Sequence, residues 1–133
     1  MKTFLDSGVL LSAWRGKPLL ADRAERIMED PARTFCTSGL VQLELLPKPD
    51  FFGQADETEF YETHFAAASA PEPLSAELEQ AALTLACAYG LAAADALNLA
   101  SALRQGAGEF ITSELPGKPM FRLTEIKVRS LHG

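Results

Sequence analysis

Three carboxylates stand at positions where an aliphatic residue would be expected. Asp6 ends the extended segment KTFL, Glu44 lies within LVQLELL, and Asp95 lies within AAADALNLA. A buried carboxylate without a partner is costly or takes up a proton, so such acids need a cation or hydrogen-bond donors nearby. A shared Mg²⁺ or Mn²⁺ would explain all three acids together. Because hard divalent cations prefer oxygen ligands and stabilise charge during phosphodiester hydrolysis, these residues indicate metal-dependent phosphoryl chemistry.

Each of the three acids also has a structural explanation when it is taken alone. Asp6 can accept hydrogen bonds from backbone N–H groups at the end of a strand, and Ser7 can cap the helix that follows. Glu44 can be a solvated helix residue. Asp95 would lie in the first turn of a helix, where a negative charge is favoured by the helix dipole. The metal-site hypothesis therefore depends on the order and spacing of the acids.

The elements that must position these acids follow from hydrophobic periodicity and from capping residues. The pattern predicts strands at residues 2–6, 33–37, 109–112, 120–123 and 126–131. It predicts helices at residues 7–15, 18–30, 38–46, 56–68, 75–89 and 92–106, with residues 47–53 and 70–73 as breaks. In the third helix, Leu40, Leu43 and Leu46 are expected to face inward. Alternating strands and helices predict an α/β fold, a three-layer α/β/α sandwich with a mainly parallel central sheet.

We expect a single domain over residues 1–133, because a chain of this length suits one core, and its composition indicates that it is folded throughout. Apolar residues make up 47% and charged residues 23%, which is normal for a globular protein. Cys36 and Cys87 form no zinc-binding or disulfide pattern, and His64 and His132 are expected at the surface. The N-terminal apolar stretch is interrupted by Asp6, and no run of about 18 apolar residues occurs. We therefore expect a cytoplasmic protein without a membrane span.

The charge distribution is uneven. The formal net charge is −6, which is unfavourable for binding nucleic acid, because contacts from Lys and Arg to phosphates dominate that affinity. Residues 50–80 hold eight acids and no Lys or Arg, whereas residues 116–133 hold four basic residues and one acid. The sequence predicts that Arg15, Lys17, Lys118 and Arg122 lie at the rim of the carboxylate site.

Four segments in this order resemble the PIN-domain family. They are FLDSGVLL, SGLVQLELL, GLAAADALNLASAL and FITSE, and together they span almost the whole chain. The resemblance implies that Asp6, Glu44 and Asp95 bind Mg²⁺ or Mn²⁺. It also implies an endoribonuclease of the VapC type, the toxin of a bacterial toxin-antitoxin pair. Its expected partners are RNA, a small antitoxin protein and, as a homodimer, a second copy of the chain.

The fourth acidic position departs from the family pattern. Where the family commonly has T-x-D, this chain has Thr112, Ser113 and Glu114. The resemblance implies that Glu114 completes the metal site with a side chain one methylene longer, and small misplacements of catalytic groups can cost about 100-fold in rate. Four polar residues are expected to orient the acids by hydrogen bonds without binding the ion themselves. They are Ser7, Asn98, Thr112 and Ser113.

Two other functions remain open from the residues. A catalytically weak or inactive PIN-like module could use the acidic pocket to bind a basic segment of a partner protein, which would suit the low isoelectric point near 4.9. A phosphatase or phospho-receiver of the flavodoxin-like type also uses carboxylates at strand ends. The chain lacks the D-x-D motif or the early acid pair of that class, so we rank this function below the others.

Overall fold

The computed structural model describes residues 1–133 and has a four-stranded sheet at its centre. The strands are β1 (Lys2–Leu5), β2 (Thr34–Cys36), β3 (Glu109–Thr112) and β4 (Lys127–Ser130). They lie in the order β2-β1-β3-β4, and every neighbouring pair is parallel. Phe4 of β1 lies beside Cys36 on one side and Phe110 on the other. The predicted parallel sheet is confirmed, and the carboxyl ends of all four strands meet at one edge.

Seven α-helices connect and cover the strands. They are α1 (Ser7–Arg15), α2 (Pro18–Met28), α3 (Gly39–Leu45), α4 (Pro47–Phe51), α5 (Ala55–Ala67), α6 (Ala76–Tyr89) and α7 (Ala93–Arg104). The chain crosses from β1 to β2 in one direction and from β2 to β3 in the other. Right-handed crossovers in opposite directions place their helices on opposite faces of the sheet. The three-layer α/β/α arrangement follows.

Local capping residues explain where several helices begin and end. The side chain of Ser38 accepts a hydrogen bond from the Val41 N–H, and that of Ser75 accepts one from the Leu78 N–H. Such caps satisfy backbone donors that have no partner within the helix. Gly90 ends α6 with a φ of 69°, a left-handed conformation that glycine adopts without steric cost.

The hydrophobic core is one continuous cluster of 24 buried residues. At its centre the rings of Phe4 and Phe110, on neighbouring strands, stack with centroids 5.3 Å apart. Leu5, Leu10 and Leu99 are fully buried around them. Removing a buried aromatic side chain of this kind costs about 3–5 kcal/mol. The core therefore holds β1 and β3, whose ends carry Asp6 and Thr112, in a fixed relation.

Two predicted elements are wrong. Residues 120–123 were expected to form a strand, but residues Pro119–Arg122 form a 3₁₀-helix. Buried Met120 and Leu123 are three residues apart, which matches the three residues per turn of that helix. Residues 47–51 were expected to break the pattern, but they form the short helix α4. Its first residue, Pro47, has a fixed φ that suits the first helical turn.

The predicted inner face of α3 is also wrong. Val41 and Leu45 are buried, whereas Leu43 is 61% exposed. The segment LVQLELL is apolar on almost every side, so periodicity within the helix does not select one face. Packing against the rest of the chain makes that choice.

No single helix is long and apolar enough to cross a membrane. Helices α6 and α7 meet the criteria of length and composition only when they are joined, and they are bent by 114° at the break between them.

His64 is buried within α5, and the expectation that it lies at the surface is wrong. Its side chain packs edge-on against Phe35 and Phe65, and its Nε2 atom has no hydrogen-bond partner. Burial lowers the pKa of His64 from 6.5 to about 4, because the charged imidazolium is poorly solvated there. The native state therefore holds this residue neutral at pH values where the unfolded chain protonates it.

We predict that His64 makes the protein sensitive to mild acid. A pKa that is lower in the folded state than in the unfolded state stabilises the fold above pH 6.5, and this stability is lost as the pH falls towards 4. The loss should reach about 2–3 kcal/mol of unfolding free energy. His64→Leu should abolish this part of the pH dependence in urea titrations at pH 7 and pH 4.5. The exposed His132→Gln should retain it, and an unchanged pH profile in His64→Leu would contradict the prediction.

Candidate active site

Asp6 lies at the carboxyl end of the central strand β1, immediately before α1. Its Oδ1 atom accepts a hydrogen bond from the Ser7 N–H at 2.9 Å, so Asp6 itself caps the helix. The expectation that Ser7 is the cap is wrong, because Ser7 is the first helical residue. The Oδ2 atom of Asp6 accepts a hydrogen bond from the Thr112 hydroxyl at 3.1 Å. Both oxygens are thus oriented by groups at the ends of two neighbouring strands.

Thr112 joins Asp6 to the segment that carries Glu114. The Thr112 hydroxyl donates to Asp6 and also accepts a hydrogen bond from the Glu114 N–H at 3.1 Å. The carboxylate of Glu114 is 45% exposed, and its Oε2 atom lies 3.9 Å from the Lys118 ammonium nitrogen. The structure therefore brings Asp6 and Glu114 to the same edge of the sheet.

Glu44 is connected to α7 through a buried amide. The Ser38 hydroxyl donates to Asn98 Oδ1 at 2.8 Å, which directs the amide nitrogen of Asn98 towards Glu44 Oε1, 3.5 Å away. Asn98 is 1% exposed, whereas Glu44 is exposed. Asp95 lies one turn before Asn98, in the first turn of α7. The segment LVQLELL thus contributes its acid to the same neighbourhood as the Ala-rich helix.

Two of the four acids, Asp6 and Asp95, have raised pKa values. Burial raises the pKa of Asp6 from 3.8 to about 6, and the charges of Asp95 and Glu44 add to the shift against the hydrogen bonds from Ser7 and Thr112. Burial also raises the pKa of Asp95, where the charge of Glu114 adds to the shift and Lys118 opposes it. Negative charge is therefore disfavoured at this edge unless a cation is present.

The donor chemistry of this neighbourhood fits a divalent cation. Carboxylate oxygens are the hard ligands that Mg²⁺ and Mn²⁺ prefer, and the raised pKa values of Asp6 and Asp95 mark a place where positive charge would be favourable. In the arrangement seen, however, no three Asp, Glu, His or Cys side chains lie close enough together to hold an ion. Like charges without a cation repel one another, so some of these carboxylates would have to rotate inward to share one.

Of the four basic residues expected at the rim, only Lys118 forms an ion pair with one of the four acids, Glu114. Arg15, at the far end of α1, is instead ion-paired with buried Glu57 at 2.5 Å, and Glu57 also accepts a hydrogen bond from Tyr61 at 2.6 Å. Lys17 and Arg122 are exposed and form no salt bridge. A concavity of about 620 Å³ is lined by Trp14, Arg15 and residues 53–57 and includes none of the four acids. Its size alone does not make it the site of the chemistry.

Sequence reasoning missed the role of Gly8. A Cβ atom added at Gly8 would lie 2.0 Å from Ser113 Oγ and 3.1 Å from Ser113 Cβ, so a side chain at position 8 would require the Ser113 side chain to shift. A glycine directly after Asp6 and Ser7 was the available signal.

Comparison with known proteins finds a family that matches the sequence and solved structures that share the fold. The sequence profile described as PIN domain matches residues 3–114. No curated protein matches the sequence significantly. VapBC2 from Rickettsia felis, solved bound to a DNA fragment from its promoter, has a TM-score of 0.69 at 14% identity, with 98% of each chain covered. A toxin-antitoxin complex from Klebsiella pneumoniae has a TM-score of 0.67 at 18% identity, covering 93% of this chain and 94% of that chain. At such identities these two structures show a shared fold only.

We predict that Asp6→Asn stabilises the protein when metal is removed. A carboxyl pKa that is raised by folding stabilises the native state below pH 3.8, and that stability is lost as the pH rises to about 6. In EDTA at pH 7.5 the free energy of unfolding of the variant should therefore be about 2 kcal/mol higher than that of the wild type. Near pH 4 the difference between the two should vanish.

Added Mn²⁺ should make the wild type more stable than Asp6→Asn, because an ion that binds only the native wild type stabilises it by mass action. Thermal melts with EDTA and with Mn²⁺ measure both effects. Asp56→Asn, at an exposed position of α5, is the matched control and should show neither. A destabilised Asp6→Asn in EDTA at pH 7.5 would contradict the prediction.

Proposed function

Because the chain belongs to the PIN-domain family, we propose that it is a metal-dependent endoribonuclease, the toxin of a toxin-antitoxin pair. The observation that supports the proposal is the raised pKa of Asp6 and of Asp95 at the carboxyl edge of the sheet, where Thr112 links Asp6 to the segment of Glu114. Acid clusters that disfavour their own charge are typical of sites built for a cation. The family membership supports a nuclease, and RNA as the substrate is part of the proposal.

In this proposal Asp6, Glu44 and Asp95 would hold Mg²⁺ or Mn²⁺, and Glu114 would be the fourth acid. A bound divalent ion acts as a Lewis acid that stabilises the negative charge developing on a phosphoryl group. Groups that orient the acids are already in place. Thr112 and the Ser7 N–H fix the carboxylate of Asp6, and Asn98 directs its amide towards Glu44. Such supporting hydrogen bonds hold ligands in the geometry that an ion requires.

Lys118 would contact a phosphate of the RNA at this site. It is exposed, lies within ion-pair distance of Glu114, and lowers the pKa of Asp95 by its charge. It belongs to residues 116–133, where basic residues outnumber acids in a chain whose net charge is −6. A locally positive segment beside the acids would offset the repulsion that RNA meets from the rest of the chain.

We propose a small antitoxin protein as the partner, and a homodimer acting in the cytoplasm. The two structural neighbours are described as VapBC2 with promoter DNA and as a toxin-antitoxin complex, and we extend that association to this chain. Leu43 of α3, Phe51 at the end of α4 and Phe52 directly after it are 61%, 81% and 68% exposed, and the two rings pack edge-on with centroids 5.0 Å apart. Exposed apolar side chains that lie together mark surfaces that contact other proteins.

The proposal predicts cleavage of a mixed RNA pool by the purified protein with Mn²⁺. EDTA and Asp95→Asn should each reduce the rate at least about 100-fold, because both remove what positions the reacting phosphate. Circular dichroism and a thermal melt establish that Asp95→Asn is folded. Asp56→Asn is the matched control and should cleave like the wild type. Cleavage that survives EDTA and Asp95→Asn would overturn the assignment.

A catalytically inactive module is the second candidate, and two observations favour it. The acids do not converge closely enough to hold an ion as they stand, and the last position is Glu114 rather than an aspartate. Such a module would bind its partner without Mn²⁺ through the acidic pocket. A folded wild type that binds Mn²⁺ and cleaves no RNA would support this candidate over the nuclease.

A further inference from the structure

The residues at the end of β4 fold back onto the segment that carries Glu114. We call residues 130–133 the C-terminal tail and residues 112–114 the acidic loop. The Leu131 N–H donates to the Thr112 carbonyl oxygen at 2.9 Å. The Ser130 hydroxyl donates to the Glu114 carbonyl oxygen at 2.6 Å. The tail therefore contacts the acidic loop at both of its ends.

His132 adds two contacts to the same arrangement. Its N–H donates to the Ser130 hydroxyl oxygen at 3.0 Å, and its Nε2 atom lies 3.0 Å from the Ser113 carbonyl oxygen. Because a carbonyl oxygen only accepts hydrogen bonds, Nε2 carries the hydrogen. The Ser130 hydroxyl thus accepts from the tail and donates to the loop, and its orientation is determined by both partners. The Arg23 guanidinium of α2 also holds the tail, because it donates a hydrogen bond to the Leu131 carbonyl oxygen at 2.7 Å.

The Ser130 contact is more than an extension of the sheet. The bond from Leu131 to Thr112 continues the pairing of β3 with β4 by one step. The Ser130 hydroxyl instead reaches Glu114, two residues beyond the end of β3. The Glu114 N–H is bonded to Thr112, which is bonded to Asp6. One chain of hydrogen bonds therefore runs from Asp6 through the Glu114 peptide groups to Ser130 and His132.

The length of the Glu114 side chain explains why a fixed backbone at this residue matters. A glutamate has one more rotatable bond than an aspartate, so its carboxylate explores more space and must lose more freedom to bind an ion. The Glu114 side chain is 45% exposed, and its carboxylate forms its one ion pair with Lys118 at 3.9 Å. Fixing the backbone on both sides of Glu114 restricts where the longer side chain can reach.

We propose that Ser130 is a positioning residue that holds the Glu114 backbone so that its carboxylate can share a divalent cation with Asp6 and Asp95. This inference rests on the proposed function and deepens it, since neither the family pattern nor the sequence marked Ser130. The residue acts through Glu114 and need not contact the substrate.

The test compares Ser130→Ala and Ser130→Thr with the wild type. Calorimetric titration with Mn²⁺ should show about 10-fold weaker binding for Ser130→Ala, because loss of a group that orients a ligand typically costs 10–100-fold in metal affinity. Its kcat for RNA cleavage should fall by a similar factor, while KM changes less than about 2-fold. Ser130→Thr keeps the hydroxyl and should restore both. Ser69→Ala, at an exposed serine, is the matched control and should change nothing.

A double-mutant cycle with Glu114→Gln separates positioning from general weakening of the structure. If Ser130 acts through Glu114, Ser130→Ala should have no further effect on kcat or on Mn²⁺ affinity in the Glu114→Gln background. Additive losses would overturn the inference. Should Ser130→Ala fail to fold, Ser130→Cys replaces it in the cycle, because a thiol is close to a hydroxyl in shape but is only a weak hydrogen-bond donor.

The outcomes distinguish this inference from the proposed function. A wild type that cleaves RNA, with Ser130→Ala indistinguishable from it, overturns the positioning role and leaves the nuclease standing. A wild type that binds Mn²⁺ more tightly than Ser130→Ala but cleaves no RNA overturns the nuclease and supports the positioning role. A wild type that neither binds Mn²⁺ nor cleaves RNA overturns both.

Discussion

The parallel pairing of β1 with β3 is the constraint on which the site depends. β1 is a central strand, hydrogen-bonded to β2 on one side and to β3 on the other. The Asp6 N–H continues the pairing by donating to the Ile111 carbonyl oxygen at 2.9 Å. Since parallel strands end at the same edge of a sheet, the residues that follow β1 and β3 must be neighbours. Asp6, Thr112 and Glu114 meet for this reason, although more than 100 positions separate the first from the others.

Without a bound cation, the carboxylates at this edge of the sheet lower the stability of the native state. Burial, with a smaller contribution from the charges of Asp95 and Glu44, raises the pKa of Asp6 to about 6, so keeping this carboxylate charged at neutral pH lowers the stability of the native state. The stacked rings of Phe4 and Phe110, directly below the site on the same two strands, offset this cost. Native proteins are stable by only about 5–15 kcal/mol, so a site of this kind needs a well-packed core beneath it. Its costs are consistent with a cation-binding role, as proposed for this PIN-domain protein.

Two of the eight acids between residues 50 and 80 have a structural role elsewhere in the fold. Glu57 is buried and joins α5 to α1 through Arg15 and Tyr61. Glu72 accepts hydrogen bonds from Ser101 and Arg104 of α7. Burial alone would raise the pKa of Glu57, but its bonds to Arg15 and Tyr61 lower it. These two acids hold helices together, whereas at the carboxyl edge of the sheet only Glu114 has a cationic partner, Lys118 at 3.9 Å.

The sequence by itself determined the elements whose signals are local. Helix caps, stop residues and apolar periodicity act over a few positions, so β1, α1, α6, α7 and β3, together with the order of the four acids along the chain, could be predicted. Tertiary packing decided what depends on distant partners. Tertiary packing determines which face of α3 is buried and places His64 in the interior. It also pairs Arg15 with Glu57 and brings the Ser130 hydroxyl to the Glu114 carbonyl oxygen. Burial, ion pairing and side-chain orientation are properties of the neighbours in space, and no local pattern in the chain contains them.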